Sequence, residues 1–248
     1  MTKTDLISKH TIEVLHKTTT ESTNNDGKEL FRNGIKNPFL IISDEQRGGR
    51  GRQGRSFSSP VGGLYMTLVL PCNLPFSSSV SVTSCSGIAV TRVLRAHNVN
   101  CGIKWVNDIY SNNRKLSGIL VEAENDYSEN RTIGLIIGIG INALSKPEGK
   151  FKVEPVSLSE LGFKPDIISL AYEITSEILD MYKNDFDLSH YINEYREYSV
   201  LIGKEVTYTL DNIEHTAVVQ SINDNGALVV TDGENVSILT SGMISVRF

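Results

Sequence analysis

Polar and apolar residues alternate over residues 9–17, where Ile12, Val14 and His16 fall on one side, so this stretch predicts a β-strand. The period then changes. Ser22, Thr23 and Asn24 supply helix-capping side chains, and Leu30, Phe31 and Ile35 recur at helical spacing, which predicts a helix ending near Gly34. The apolar run 39–43 reads as a buried strand, and residues 44–60, with Arg47, Arg50, Arg52 and Arg55 among glycines, read as a loop. Residues 63–70 are β-like again. Val82, Cys85, Ile88, Ala89, Val93 and Ala96 then mark a buried helix over 79–97, followed by strands near 101–105, 115–122 and 132–139. Pro147 and Pro155 mark a loop, and two amphipathic helices are predicted over 167–182 and 188–198.

Beyond residue 201 the pattern shortens. Apolar runs at 206–210, 215–222, 227–231, 236–239 and 244–248 are separated by turn signals at Asp211-Asn212, Asn225-Gly226, Asp232-Gly233 and Ser241-Gly242. Together these patterns predict an α+β fold: a mixed β-sheet with helices over residues 1–200, then a small SH3-like β-barrel over 201–248.

Composition narrows the functional classes. A chain of 248 residues that is 40% hydrophobic and 21% charged is that of a folded protein. Its longest apolar stretches, such as 135–141, fall far short of the roughly 18 residues that cross a bilayer, and the first ten residues lack a signal-peptide core. Cys72, Cys85 and Cys101 are odd in number and widely spaced, which fits a reducing cytoplasm and offers no zinc motif. His10, His16, His97, His190 and His215 form no ligand pair, so no metal-binding residue is expected. With a net charge of −5, any nucleic acid would need a local basic patch.

Candidate chemistry concentrates in three places. Gly49-Arg50-Gly51-Arg52-Gln53-Gly54-Arg55 pairs close backbone approach with guanidinium donors and suits anions; a solvated basic loop or an RNA-binding arginine-glycine segment is the plainer alternative. Lys104-Trp105-Val106-Asn107-Asp108, followed by Lys115-Leu116-Ser117-Gly118, sets two lysines at the ends of apolar runs, where burial is costly unless an anion or carboxylate meets them. Taken alone, Lys115 reads as an exposed strand start and Asn107-Asp108 as a turn. Gly138-Ile139-Gly140-Ile141-Asn142-Ala143 matches a relaxed dinucleotide fingerprint, but Pro147 and Gly149 follow where a helix should open. A strand end lined with glycines beneath a ligand suits it better.

Taken in order, Glu21-Ser22-Thr23-Asn24, Gln46 with the arginine-glycine loop, Lys104 to Asp108 with Lys115 to Leu120, and Gly138 to Asn142 resemble the biotin protein ligases over nearly the whole chain. One departure is Val106, where that family usually has proline. The short stretch ahead of Ser22 resembles the form without an N-terminal DNA-binding domain. The resemblance implies a class II synthetase-like catalytic domain that activates biotin with ATP as biotinyl-5'-AMP and passes it to a lysine of a biotin carboxyl carrier protein. It implies Mg2+ brought in on the phosphates, no tightly bound prosthetic group, no DNA or membrane partner, and a monomer or homodimer. Arg52, Lys115, Lys104 and Asp108 would be catalytic. Ser22, Thr23, Asn24, Gln46, Arg50, Gly51, Arg52, Lys115, Gly118 and Gly138 would bind biotin, with Gly140 lining the site. Arg50, Arg52, Arg55, Trp105, Asn107, Asn142 and Arg247 would bind ATP. Lipoate ligases, which share the fold and chemistry, and a non-catalytic RNA-binding module are the rivals.

Overall fold

A computed structural model describes residues 2–7, 10–210 and 213–240. The elements run β1 (Thr2–Ile7), β2 (His10–Lys17), α1 (Thr23–Arg32), β3 (Phe39–Ser43), β4 (Leu64–Pro75), α2 (Ser79–Ala96), β5 (Gly102–Lys104), β6 (Asp108–Ser111), β7 (Arg114–Asp126), β8 (Arg131–Ile141), α3 (Ile167–Tyr182) and α4 (Ile192–Tyr198). A C-terminal group follows: β9 (Glu205–Leu210), β10 (Ile213–Ile222), β11 (Leu228–Thr231) and β12 (Val236–Leu239).

β1 to β8 make one sheet in the order β1-β2-β3-β4-β8-β7-β6-β5, parallel between β2 and β3 and antiparallel at every other pairing. The period of two assigns its faces. Leu64, Met66, Leu68 and Leu70 of β4 and Leu135, Ile137, Ile139 and Ile141 of β8 enter the large core under α2 and α3. Tyr65, Thr67 and Val69, with Gly134, Ile136, Gly138 and Gly140, occupy the other face. There α1 covers only one end, where Phe39, Ile41, Val69 and Ile136 pack with Leu30 and Phe31. α1 sits close because Gly27 has no side chain: a Cβ there would lie 3.0 Å from Val69 and 3.1 Å from Thr67. The rest of that face, over β8 and β7, is left to the loop 44–60.

The strands at 206–210, 215–222, 227–231 and 236–239 form a four-stranded antiparallel sheet ordered β12-β11-β10-β9, with a bulge in β10 between Val219 and Ser221. The predicted strand 244–248, and Arg247 within it, lie outside the described residues. The inner face of this sheet, with Val206, Ala217, Val219, Leu228 and Val230, joins the same hydrophobic cluster as α2 and the large sheet. Two local readings change. The predicted helix 188–198 is a 3-10 turn at Leu188–His190 followed by α4, because Tyr191 (φ −125°, ψ −2°) leaves helical geometry. The Asn107-Asp108 turn ends one residue early, and Asp108 opens β6.

Candidate active site

Local sequence explains why side chains converge on the open sheet face. Ser22 is the extended cap residue of α1, so Thr23 and Asn24 enter the first turn pointing at the sheet, all three at most 4% exposed. The Thr67 hydroxyl stands 2.8 Å from both Thr23 Oγ1 and Asn24 Oδ1. Gln46 Oε1 accepts from the Thr23 backbone N–H at 2.9 Å, and its Nε2 donates to Ser59 Oγ at 2.9 Å. These buried polar groups are satisfied by one another, which fixes their orientation. Gly138 permits it: a Cβ there would fall 2.0 Å from Asn24 Oδ1. Gly140 does the same for Phe57, whose ring would lie 2.5 Å from an added Cβ. The pair Gly138 and Gly140 thus lies in the body of β8, with the intervening isoleucines in the core. It opens no helix, which removes the dinucleotide reading.

Two cavities meet here. The smaller, about 160 Å³, is bounded by Ser22 to Asn24, Gln46, the arginine-glycine loop, Trp105, Gly118, Gly138 and Gly140. The larger, about 770 Å³, runs past Tyr110, Asn142 and the segment from Pro147 to Pro155. Arg55, Ser56, Phe57, Lys104, Asp108 and Lys115 border both. Five cations, Arg50, Arg52, Arg55, Lys104 and Lys115, line the smaller cavity against one carboxylate, Asp108, so its field favours anions.

The charged groups are tied in place. Lys115 Nζ donates to Asp108 Oδ1 at 2.8 Å and lies 5.9 Å from the Phe57 ring centre. Lys104 Nζ donates to the Tyr110 hydroxyl at 3.5 Å and sits over its ring. Arg52 donates to Asn107 Oδ1 at 3.1 Å, while Asn107 Nδ2 donates to the Ile119 carbonyl at 2.9 Å. Burial pushes the Arg52 guanidinium below its ordinary pKa, an effect opposed by the charge of Asp108. A guanidinium in that position gains when a second anion arrives. Trp105 is 5% exposed and donates through Nε1 to the Gly226 carbonyl at 2.9 Å; the Trp105–Val106 peptide is cis.

Of the residues singled out from sequence, those from Ser22 to Lys115, together with Gly118 and Gly138, stand around the smaller cavity or at its junction with the larger. Asn142 borders the larger cavity, but its Nδ2 is engaged by the carbonyls of Lys115 and Val156, both at 3.2 Å. Sequence reading passed over Phe57, Ser59, Thr67, Asn25 and Glu122. Glu122 had a signal in the period-two run Gly118, Leu120, Glu122 on the site face of β7, where a lone carboxylate invites a partner.

This fold is that of the biotin/lipoate A/B protein ligase family: residues 12–142 match the model of that family, and the chain belongs to it. The bifunctional ligase/repressor BirA of Bacillus subtilis is 33% identical over 147 residues, 58% of this chain but 44% of that protein, so the match spans less than half the relative's length. The biotin--[acetyl-CoA-carboxylase] ligase of Paracoccus denitrificans is 26% identical over 228 residues, 85% of this chain and 91% of that one. Among solved structures, the biotin protein ligase from Aquifex aeolicus in complex with biotin and ATP superposes with a TM-score of 0.78, covering 94% of this chain and 98% of that chain at 23% identity. That likeness establishes the shared fold.

Proposed function

We propose that the protein is an ATP-dependent biotin ligase that forms biotinyl-5'-AMP and transfers the biotinyl group to the ε-amine of a carrier-domain lysine in a biotin-dependent carboxylase. The observation that carries this reading is the pair of cavities meeting at Lys115, Asp108, Lys104 and Arg55. A narrow polar-ended cleft and a wider nucleotide-sized one, joined at a cationic neck, suit the union of two anions. It is supported by the family match and by the ligase names of the relatives.

In the first step a carboxylate oxygen of biotin attacks the α-phosphorus of ATP, the bond to the β-phosphate breaks and pyrophosphate leaves. Negative charge builds on the phosphate, and preorganised cations stabilise it without reorganisation. Arg52 and Lys115 take that role, with Lys104 second and Arg55 on the nucleotide side. Ser22, Thr23, Asn24 and Gln46 hold the polar end of biotin, while Arg50, Gly51, Gly118 and Gly138 close around it. Asn142 flanks the nucleotide in the wider cavity, while Trp105 and Asn107, which line the narrow cleft, and Arg247 are assigned to it from the family resemblance. In the second step the lysine amine attacks the acyl carbon, AMP leaves, and Asp108 orients the amine. Mg2+ would enter on the phosphates of the nucleotide substrate, as the family resemblance implies, since magnesium held by phosphates needs few protein ligands.

Residues 1–200 form the catalytic unit in this reading, and 201–248 an SH3-like barrel, which accords with the run of short strands and tight turns. Three free thiols and the absence of a membrane-spanning helix among the described residues accord with work in the cytoplasm, and a charge of −5 gives DNA no general attraction. The test is biotin-dependent exchange of pyrophosphate into ATP by purified protein, with lipoate in a parallel reaction. Exchange driven by biotin is expected. Exchange with lipoate only would move the chain to the lipoate side of its family, and exchange with neither would remove the ligase reading.

A further inference from the structure

The arginine-glycine loop bridges the smaller cavity, and its arginines are held at opposite ends of the span. Arg52 reaches Asn107 on the far side. On the near side, Arg50 Nη1 donates to Asn25 Oδ1 at 2.7 Å and Nη2 donates to Glu122 Oε1. Glu122 is a fixed anchor. Lys28 Nζ donates to Oε1 at 2.7 Å and Asn24 Nδ2 to Oε2 at 3.0 Å, so α1 holds the carboxylate in place independently of the loop. Its side chain is 17% exposed, and it stands behind Asn24 and Arg50, outside the lining of either cavity. A glycine-rich segment carrying like charges resists collapse until anions meet those charges. At the Arg52 and Lys115 end Asp108 is one such anion, and in the ligase reading a substrate adds another. At the Arg50 end the protein supplies its own.

We propose that Glu122 and Asn25 form the latch on which Arg50 closes the loop, which makes Glu122 a positioning residue for retention of the activated acyl-adenylate and not for its formation. The loop-closing half stands on the contacts alone; the retention half rests on the ligase reading above.

Ligand-free protein is treated with trypsin, and cleavage after Arg52 and Arg55 is timed in wild type, Glu122→Gln, Asn25→Ala and Lys28→Met. Glu122→Gln and Asn25→Ala are expected to be cut at least about threefold faster, the effect of losing one partly exposed charged contact. Lys28→Met, which removes one Glu122 partner but leaves Asn24 holding the other oxygen and both latch groups in place, should be cut faster than wild type by less than either latch variant. Adding Glu122→Gln to Arg50→Gln should speed cleavage no further. Wild-type rates in both Glu122→Gln and Asn25→Ala, or equal acceleration in Lys28→Met, would overturn the latch. Should Glu122→Gln fail to fold, Asn25→Ala decides alone. For retention, biotin-dependent exchange is expected to persist in Glu122→Gln and Asn25→Ala while biotinyl-AMP escapes faster by the factor seen in cleavage. Unchanged escape from a faster-cut loop would refute the retention half. No exchange in wild type would refute the ligase reading and leave the cleavage result standing.

Discussion

Lys115 is neutralised at rest by Asp108, 2.8 Å away, and in the proposed reaction exchanges that partner for a substrate oxygen. Lys115→Ala should therefore lower pyrophosphate exchange by about ten- to a hundredfold, the weight of one charge-assisted hydrogen bond, and equal exchange in the two proteins would remove Lys115 from the chemistry. Arg52→Gly should keep the fold, since the residue lies in a loop, yet release adenylate that labels bystander lysines. A mutant that labels only the carrier would contradict that role. Glu122 has a pH signature. Burial raises its pKa, but the hydrogen bonds from Lys28 and Asn24 and the charges of Lys28 and Arg50 outweigh it and hold the group below its ordinary 4.5. With the folded value depressed, its contribution is present above the unfolded value and fades as pH falls through the folded one. Urea unfolding from pH 6 down to 3 should show the stability gap between wild type and Glu122→Gln narrowing with acid; a gap that stays constant would mean the carboxylate's charge is not what stabilises. At this scale the loop arginines stood out by their glycine setting, whereas the polar cap and Lys115 were picked out only through the family resemblance, since alone they read as helix-cap residues and an exposed strand start. It did not reach Phe57 or Thr67, which look like ordinary strand and loop residues until the glycines of β7 and β8 make room opposite them.

Among the elements, an unbroken apolar run located β3, and helical periodicity α3, at their true limits, because each sits against a core that enforces its pattern. The 188–198 helix was misread because apolar spacing continues through a break made by one residue, Tyr191, whose backbone the pattern does not report. β6 was missed because four residues, Asp108–Ser111, are too few to show a period. What the turn before β6 needs is an outside brace, and the indole N–H of Trp105 supplies it by bonding to Gly226 in the β10–β11 turn. Trp105→Phe keeps an aromatic ring but gives up the second ring of the buried indole and strands the Gly226 carbonyl, which alone costs about 1 to 3 kcal/mol. For a chain of this size that is a drop of roughly 2 to 12 °C in Tm. A calorimetric melt reads it directly, and an unaltered Tm would show that the brace contributes nothing.

Across the whole molecule, the chain pattern and the packing divide the protein differently. Residue 200 is where the chain pattern places a boundary, because the runs beyond it are short and separated by turn dipeptides. The core ignores the boundary. Val206, Val219, Ile222, Leu228 and Val230 belong to the same buried cluster as Val82, Cys85 and Leu188, and a Cβ on Gly226 would stand 3.0 Å from Leu188 and 3.3 Å from Val80. Polar contacts cross as well: Arg196 donates to the Ile222 carbonyl at 2.7 Å and to Asp224 at 2.7 Å. Such continuity is set by which side chains meet in space, and no single-sequence period records it. A shared core makes the two parts one cooperative unit. Scanning calorimetry should show a single transition whose calorimetric and van't Hoff enthalpies agree, and a chain ending at residue 200 should fail to fold, since it exposes Leu188 and Val80 and leaves the Trp105 N–H unpaired. Two resolved transitions, or a soluble cooperative 1–200 fragment, would show instead that the small sheet is an independent module resting on the large one.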